Sequence, residues 1–295
     1  LAKAGLRRMI LEGAAPDGGY LEALEALLRD EALDPAFRAL ALRLPSQDDL
    51  AQSLHETGAT PDPVAIWEAR ERLTGTMAAR LHPLATDLYA AHAVPGPYRP
   101  DADAAGHRAL QQAALALIAR QDEGAEAARA YRAADNMTAE VGALTALLAI
   151  GKGEEELAAF HDRWKGDRLV LDKWFALQIG MAGPGRAVAL ARRLAEHPDF
   201  DWKNPNRFRA VVGALAMNPV GFHDPSGAGY AFVGDWLTRL DPLNPQTAAR
   251  MTSVFETWRR YDAERQAMIR ATLDRLAATP NLSRDTTEMV TRILG

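Results

Sequence analysis

Cysteine is absent from the 295 residues. Disulfides, thiol nucleophiles and thiolate metal ligands are therefore excluded, and the composition fits a reducing, cytoplasmic setting. Aromatic residues are scarce at 7%, and β-branched residues are sparse beside Ala and Leu. A sheet-rich core is disfavoured, because pleated surfaces are built from the residues this chain lacks, while Ala and Leu enter helices at little entropic cost. Positive charge is not in excess: 34 basic residues face 39 acidic ones, interleaved at short range. No basic stripe exists to track a phosphate backbone, which argues against a nucleic-acid partner. No apolar run is long enough to span a bilayer, and Arg7 and Arg8 interrupt the opening apolar stretch, so neither a membrane segment nor a signal peptide is expected.

Active-site signatures are also missing. A zinc-binding helix of the commonest kind carries two His residues four apart with a Glu beside the first. The histidines stand at 55, 82, 92, 107, 161, 197 and 223, and no two have that spacing. His55-Glu56 begins the pattern, but Ala59 occupies the second His position. Gly180, Gly183 and Gly185 lack the strand and spacing of a dinucleotide site, and no serine sits at a nucleophile elbow. No catalytic residue, no metal ligand and no cofactor is assigned to this chain.

What is present is a succession of amphipathic helical patterns with short breaks. Leu21, Leu24, Leu27 and Leu28 form one stripe; Ile66, Leu73, Met77 and Leu81 form another, with Pro83 expected to kink or divide it before Leu84 and Leu88. Asp34-Pro35 and Asp62-Pro63 read as helix starts, an aspartate cap followed by proline where its missing N–H does no harm. Ser46 and Asp49 form a variant capping box. Gly124, Gly151 and Gly153 mark helix ends, Asp135 and Asn136 a start, and Gly183-Pro184-Gly185 a break. Val94 to Pro100, with three prolines and one glycine, is the best linker candidate. About sixteen helices emerge. The pair spacing of about 35 residues lies in the range of helical repeat arrays. The expectation is an all-α, two-layer α-α superhelix of the armadillo or HEAT kind, one domain over residues 1–295.

Polar corners interrupt these patterns. Trp202-Lys203-Asn204-Pro205-Asn206-Arg207-Phe208-Arg209 combines cap and turn chemistry with two guanidiniums. Asp172-Lys173-Trp174-Phe175 places a carboxylate inside an apolar helix, where Arg168 or an arginine of the next helix could pair with it. Arg259, Arg260, Tyr261 and Asp262 form a junction, with Asp262 as the cap of the following helix. Asp172, Lys173, Trp174, Asn204, Asn206, Tyr261 and Asp262 are read as structural motif residues.

Taken in order, these segments carry a resemblance. Leu33-Asp34-Pro35-Ala36-Phe37 through Leu44-Pro45-Ser46, Ala134-Asp135-Asn136-Met137-Thr138, Asp172-Lys173-Trp174-Phe175, Asn204-Pro205-Asn206-Arg207, Gly227 to Tyr230, Leu243-Asn244-Pro245-Gln246, Arg260-Tyr261-Asp262 and Asn281-Leu282-Ser283 all match. The chain resembles the C-terminal helical domain of bacterial aminopeptidase N, the alanyl aminopeptidase of the M1 zinc metallopeptidase family. The resemblance implies a non-catalytic domain that caps an active-site cavity and limits peptide access. Zinc and the catalytic residues would lie in preceding domains of the same polypeptide, which would be its partners. It also implies that Arg250, in Asn244 to Arg250, and secondarily Arg207 line the substrate channel. A freestanding helical scaffold that binds a partner protein is the competing reading.

Overall fold

The computed structural model describes residues 1–295 and contains helices and no strands. Eighteen α-helical segments are present, fifteen of them seven residues or longer. The chain divides into two compact units. The first comprises Leu1–Leu50 and Ala65–Asp162, the second Ala51–Val64 and Arg163–Gly295.

The first unit is built from α1 (Ala2–Glu12), α2 (Gly18–Arg29), α3 (Pro35–Ala41), the start of α4 (Gln47–His55), most of α5 (Pro63–Ala91), α6 (Ala102–Ala119), α7 (Ala125–Ala133), α8 (Met137–Ala149) and most of α9 (Glu154–Trp164). Its helix starts follow the residues that the sequence marked. Asp34 accepts from the backbone N–H groups of Ala36 and Phe37, with Pro35 in the first turn. Ser46 Oγ accepts from Asp49 N at 3.0 Å while Ser46 N donates to the Asp49 carboxylate at 3.2 Å, a reciprocal box with Asp in place of Glu. Asn136 caps α8 through Ala139 N, and Asp135 accepts from the Asn136 amide. Gly124, Gly151 and Gly153 all adopt positive φ. At Gly124 this is compounded by space, since a Cβ would lie 2.8 Å from Leu147.

Pro83 does not divide its helix. α5 runs unbroken for 29 residues. Leu81, Leu84, Ala85 and Leu88 are buried on both sides of the proline, which itself faces solvent. Continuous burial of that stripe outweighs the one lost backbone hydrogen bond. The proline-rich segment 94–100 joins α5 to α6 inside the first unit and marks no boundary between units.

The second unit contains α10 (Arg168–Gly180), α11 (Ala187–Ala195), α12 (Pro205–Phe208), α13 (Ala214–Ala216), α14 (Pro219–Phe222), α15 (Ala228–Leu240), α16 (Pro245–Thr252), α17 (Ala263–Ala277) and α18 (Arg284–Leu294). A five-residue π-helical turn, Arg209–Gly213, joins α12 to α13, so residues 205–216 form one wound segment. α15 packs on α16 and α17, and α18 packs on the same two helices. Phe175, Phe208, Tyr230, Leu237 and Leu273 are fully buried. Trp236 meets Phe200 and Phe208 edge-on. No helix is long and apolar enough to cross a membrane.

Candidate functional site

The site residues that the sequence singled out lie in the second unit and differ sharply in environment. Arg207, on α12, is 4% exposed. Its Nε donates to Asp172, one terminal nitrogen to the Asp199 carbonyl and the other to the Arg168 carbonyl. Its guanidinium also lies 5.0 Å from the centroid of the Phe175 ring. Asp172 therefore pairs with an arginine 35 residues later, while Arg168 offers its backbone oxygen instead of its side chain. The planar fork of arginine suits such a multi-acceptor position, where an ammonium would satisfy fewer geometries. One side chain thereby ties α10, the segment before α12 and α12 itself together.

The neighbouring motif residues support that clamp. Asn204 caps α12 by accepting from Asn206 N at 3.0 Å, and Pro205 takes the first helical position. The Asn206 side-chain oxygen accepts from Arg209, which is exposed. Trp174 is buried and contacts Phe175 edge-on, with ring centroids 4.9 Å apart, whereas Lys173 points to solvent.

Arg250 is placed differently. α16 begins at Pro245 with Asn244 as its cap, accepting from Thr247 N at 3.0 Å. Ala248, Ala249 and Thr252 are buried, and α16 packs on α15 and α18. These contacts turn Arg250 outward, where no carboxylate of the chain pairs with it. Met251, the next residue, approaches Gly213 of the π-helical turn, its methyl 3.6 Å from where a Cβ would stand. α16 and the Arg209–Gly213 turn are thus neighbours. An exposed guanidinium without an internal counter-ion can attract a carboxylate or donate to peptide carbonyls.

The last polar corner is interior. Tyr261 is 4% exposed, accepts from Arg260 at 2.8 Å and lies against His223, ring centroids 4.0 Å apart. His223 is hydrogen-bonded through Nδ1 to Tyr230 Oη at 2.8 Å. Burial, with Arg260 and Arg265 nearby, lowers its pKa to about 3. Burial raises the Tyr230 phenol well above the usual range. Asp262 caps α17 through Arg265 N and also pairs with the Arg265 guanidinium, which further reaches the His223 carbonyl and lies 3.8 Å from Asp62. Backbone and side-chain hydrogen bonds from Arg265 hold the Asp262 carboxyl below its ordinary value, against the opposing effect of its partial burial. The sequence marked Tyr261 and Asp262 as motif residues but gave no role to His223, or to Tyr230 at the end of the Gly227 to Tyr230 segment. An isolated His and Tyr seven apart carry no spacing signal.

A model of helical repeats matches residues 1–295 in full, described as a domain of unknown function (DUF3458_C) with ARM repeats. The chain belongs to this family. It is 41% identical over 282 residues to aminopeptidase N of Caulobacter vibrioides, covering 94% of the chain and 32% of that protein. Aminopeptidase N of Escherichia coli is 35% identical, over 93% of the chain and 32% of that protein. Haemophilus influenzae aminopeptidase N is 33% identical, over 93% and 31%. Among solved structures, Legionella pneumophila aminopeptidase A in complex with aspartic acid superposes with a TM-score of 0.87 at 27% identity, covering 99% of the chain and 36% of that structure. The chain thus spans about a third of the length of the aminopeptidases it matches. It corresponds to the C-terminal helical-repeat region of M1-family aminopeptidases, and it carries no complete catalytic zinc motif of its own.

Proposed function

We propose that this chain acts as one domain, residues 1–295, the C-terminal domain of a larger cytoplasmic zinc aminopeptidase. There it walls the cavity above the active site and restricts entry to peptides. The observation that carries this reading is the match along nearly the whole chain to one third of aminopeptidase N, in a sequence with no two histidines four apart. In the whole enzyme the preceding domains would hold zinc and hydrolyse the N-terminal peptide bond. No step of that reaction is assigned to residues of this chain.

Within the wall, Arg250 is the residue placed to meet substrate. Its side chain is outward-facing and free of internal ion pairs. Arg207, its donors occupied by Asp172, Asp199 and Arg168, supports the channel by fixing the α10–α12 corner rather than by reaching into solvent. The test has two arms. The isolated chain is expected to release no amino acid from a chromogenic alanyl substrate; chelator-sensitive release would overturn the reading. In the full-length enzyme, Arg250→Ala is expected to raise KM several-fold for tetrapeptides and leave the single-residue chromogenic substrate unaffected. Equal effects on both would remove Arg250 from the channel.

A further inference from the structure

Two imidazoles meet at the corner between α5 and α6. His92 follows the last turn of α5 and is 8% exposed; His107 lies in the second turn of α6, its side chain 34% exposed. Their Nδ1 atoms are 2.9 Å apart and their ring centroids 4.8 Å apart. Such a contact needs one N–H and one lone pair. It holds when both rings are neutral, and it holds when the pair carries a single added proton. With both rings protonated, two N–H groups would point at each other across 2.9 Å.

The surroundings reinforce that limit. From α3 the buried Arg38 guanidinium adds positive charge near His92, and Glu31, in the segment before α3, acts in the opposite sense. On α6, Asp103 lies 3.8 Å from His107 Nε2, on the far side of that ring from the contact. Burial first, then His107 and Arg38, lower the affinity of His92 for a proton.

The same pair sits at the base of the loop 93–101. That loop is otherwise held by few bonds. Arg108, 7% exposed, donates to the Arg99 carbonyl at 2.7 Å and lies 4.5 Å from the Tyr98 ring. Asp101 caps α6 through Ala104 N and pairs with Arg99 at 3.2 Å. Gln111 donates to the Tyr89 carbonyl, on the last turn of α5, at 3.3 Å.

We infer that His92 and His107 form a proton-sharing latch: it closes the α5–α6 corner while the pair holds at most one added proton, and a second proton releases the corner and the 93–101 loop. The loop, with its three prolines and exposed Tyr98, is the segment that would open. The device is independent of the proposed role in an aminopeptidase, because it depends only on contacts inside the first unit.

The test is a histidine-resolved NMR titration of the full 295-residue chain, paired with amide hydrogen exchange corrected for intrinsic rates. Two protonation steps separated by more than about one pH unit are expected for the pair. Protection of the corner amides, His92 N–H bonded to the Leu88 carbonyl and Ala105 N–H bonded to the Asp101 carbonyl, should fall at least about tenfold as pH drops through the lower step, before global unfolding. His107→Asn retains an amide donor for His92 but cannot be charged, so its protection at these corner amides should stay level over that range. Independent titration of the two rings with similar midpoints would overturn the inference. So would equal loss of that corner protection in wild type and His107→Asn. His223 contributes the same global acid sensitivity to both proteins, which leaves the local readout specific.

Discussion

Asp241 is 1% exposed, at the end of α15, and its carboxylate is held by three donors from 42 to 45 residues away. These are Ser283 N at 2.7 Å, Ser283 Oγ at 2.6 Å and Thr286 Oγ1 at 2.5 Å. Removing the acceptor would strand all three beside the first turn of α18. Asp241→Ala should lower unfolding stability in urea by about 3 kcal/mol or more, and Asp241→Asn, which keeps one acceptor oxygen, by less. A similar logic applies to Arg207. Arg207→Ala leaves Asp172 nearly buried without its partner and should cost about 3–5 kcal/mol, with Arg207→Lys recovering only part. His223 supplies a pH dependence. Its folded-state pKa of about 3 lies below the ordinary histidine value of 6.5, so the unfolded chain binds the proton first. Stability is complete above about pH 6.5 and drains away as pH falls toward 3, by on the order of several kcal/mol. His223→Gln should flatten that acid limb in thermal melts recorded from pH 7 to 4.

At the scale of elements, helix starts and stops were the most legible features, because caps and breakers act locally. Asp34-Pro35, Ser46 with Asp49, Asn136, Asn204 and Asp262 all cap helices where the sequence placed them. The behaviour of Pro83 was not legible, since tertiary burial of Leu81, Leu84 and Leu88 decides it. The same reasoning makes Pro83 a removable defect. Pro83→Ala restores a backbone donor at an exposed position and should raise stability by about 1–3 kcal/mol, read as a higher thermal midpoint. The π-helical turn at Arg209–Gly213 had no sequence signal, whereas α14 is opened by Asn218-Pro219, a cap-and-proline pair that reads in the sequence as part of a turn; both sit where α11, α13 and α15 crowd together. Gly229 reports that crowding. A Cβ there would stand 2.3 Å from the Gly221 carbonyl oxygen and 2.5 Å from that of Phe222. Neither atom can move without shifting α14. At an exposed helix site Gly→Ala stabilises by about 0.5–1 kcal/mol, because Ala is the better helix former, whereas Gly229→Ala should destabilise by more than about 1 kcal/mol, and circular dichroism melts would show it.

For the whole molecule, the all-helical repeat character followed from composition and spacing, whereas the division into two compact units did not. The chain crosses between them within α4, at the start of α5 and within α9, all of which read as ordinary continuous helices. Candidate-site legibility was uneven for a physical reason. Residue type identifies a guanidinium, but only packing decides whether its nitrogens meet the chain's own carbonyls, as at Arg207, or face water, as at Arg250. At this scale the two-arm kinetic comparison of Arg250→Ala tests the wall itself, since it asks whether substrate length governs the effect.

The aspartate–proline starts of α3 and α5 have a chemical corollary. Asp34-Pro35, Asp62-Pro63, Asp224-Pro225 and Asp241-Pro242 are peptide bonds in which a carboxyl can attack its own carbonyl carbon and expel the basic proline nitrogen. In the native chain the Asp34 and Asp62 carboxylates are occupied by backbone N–H groups of the helices they open, and Asp241 by Ser283 and Thr286. Warm dilute acid should therefore cut the chain, once it is unfolded, into a predictable ladder of fragments, each new amino terminus a proline.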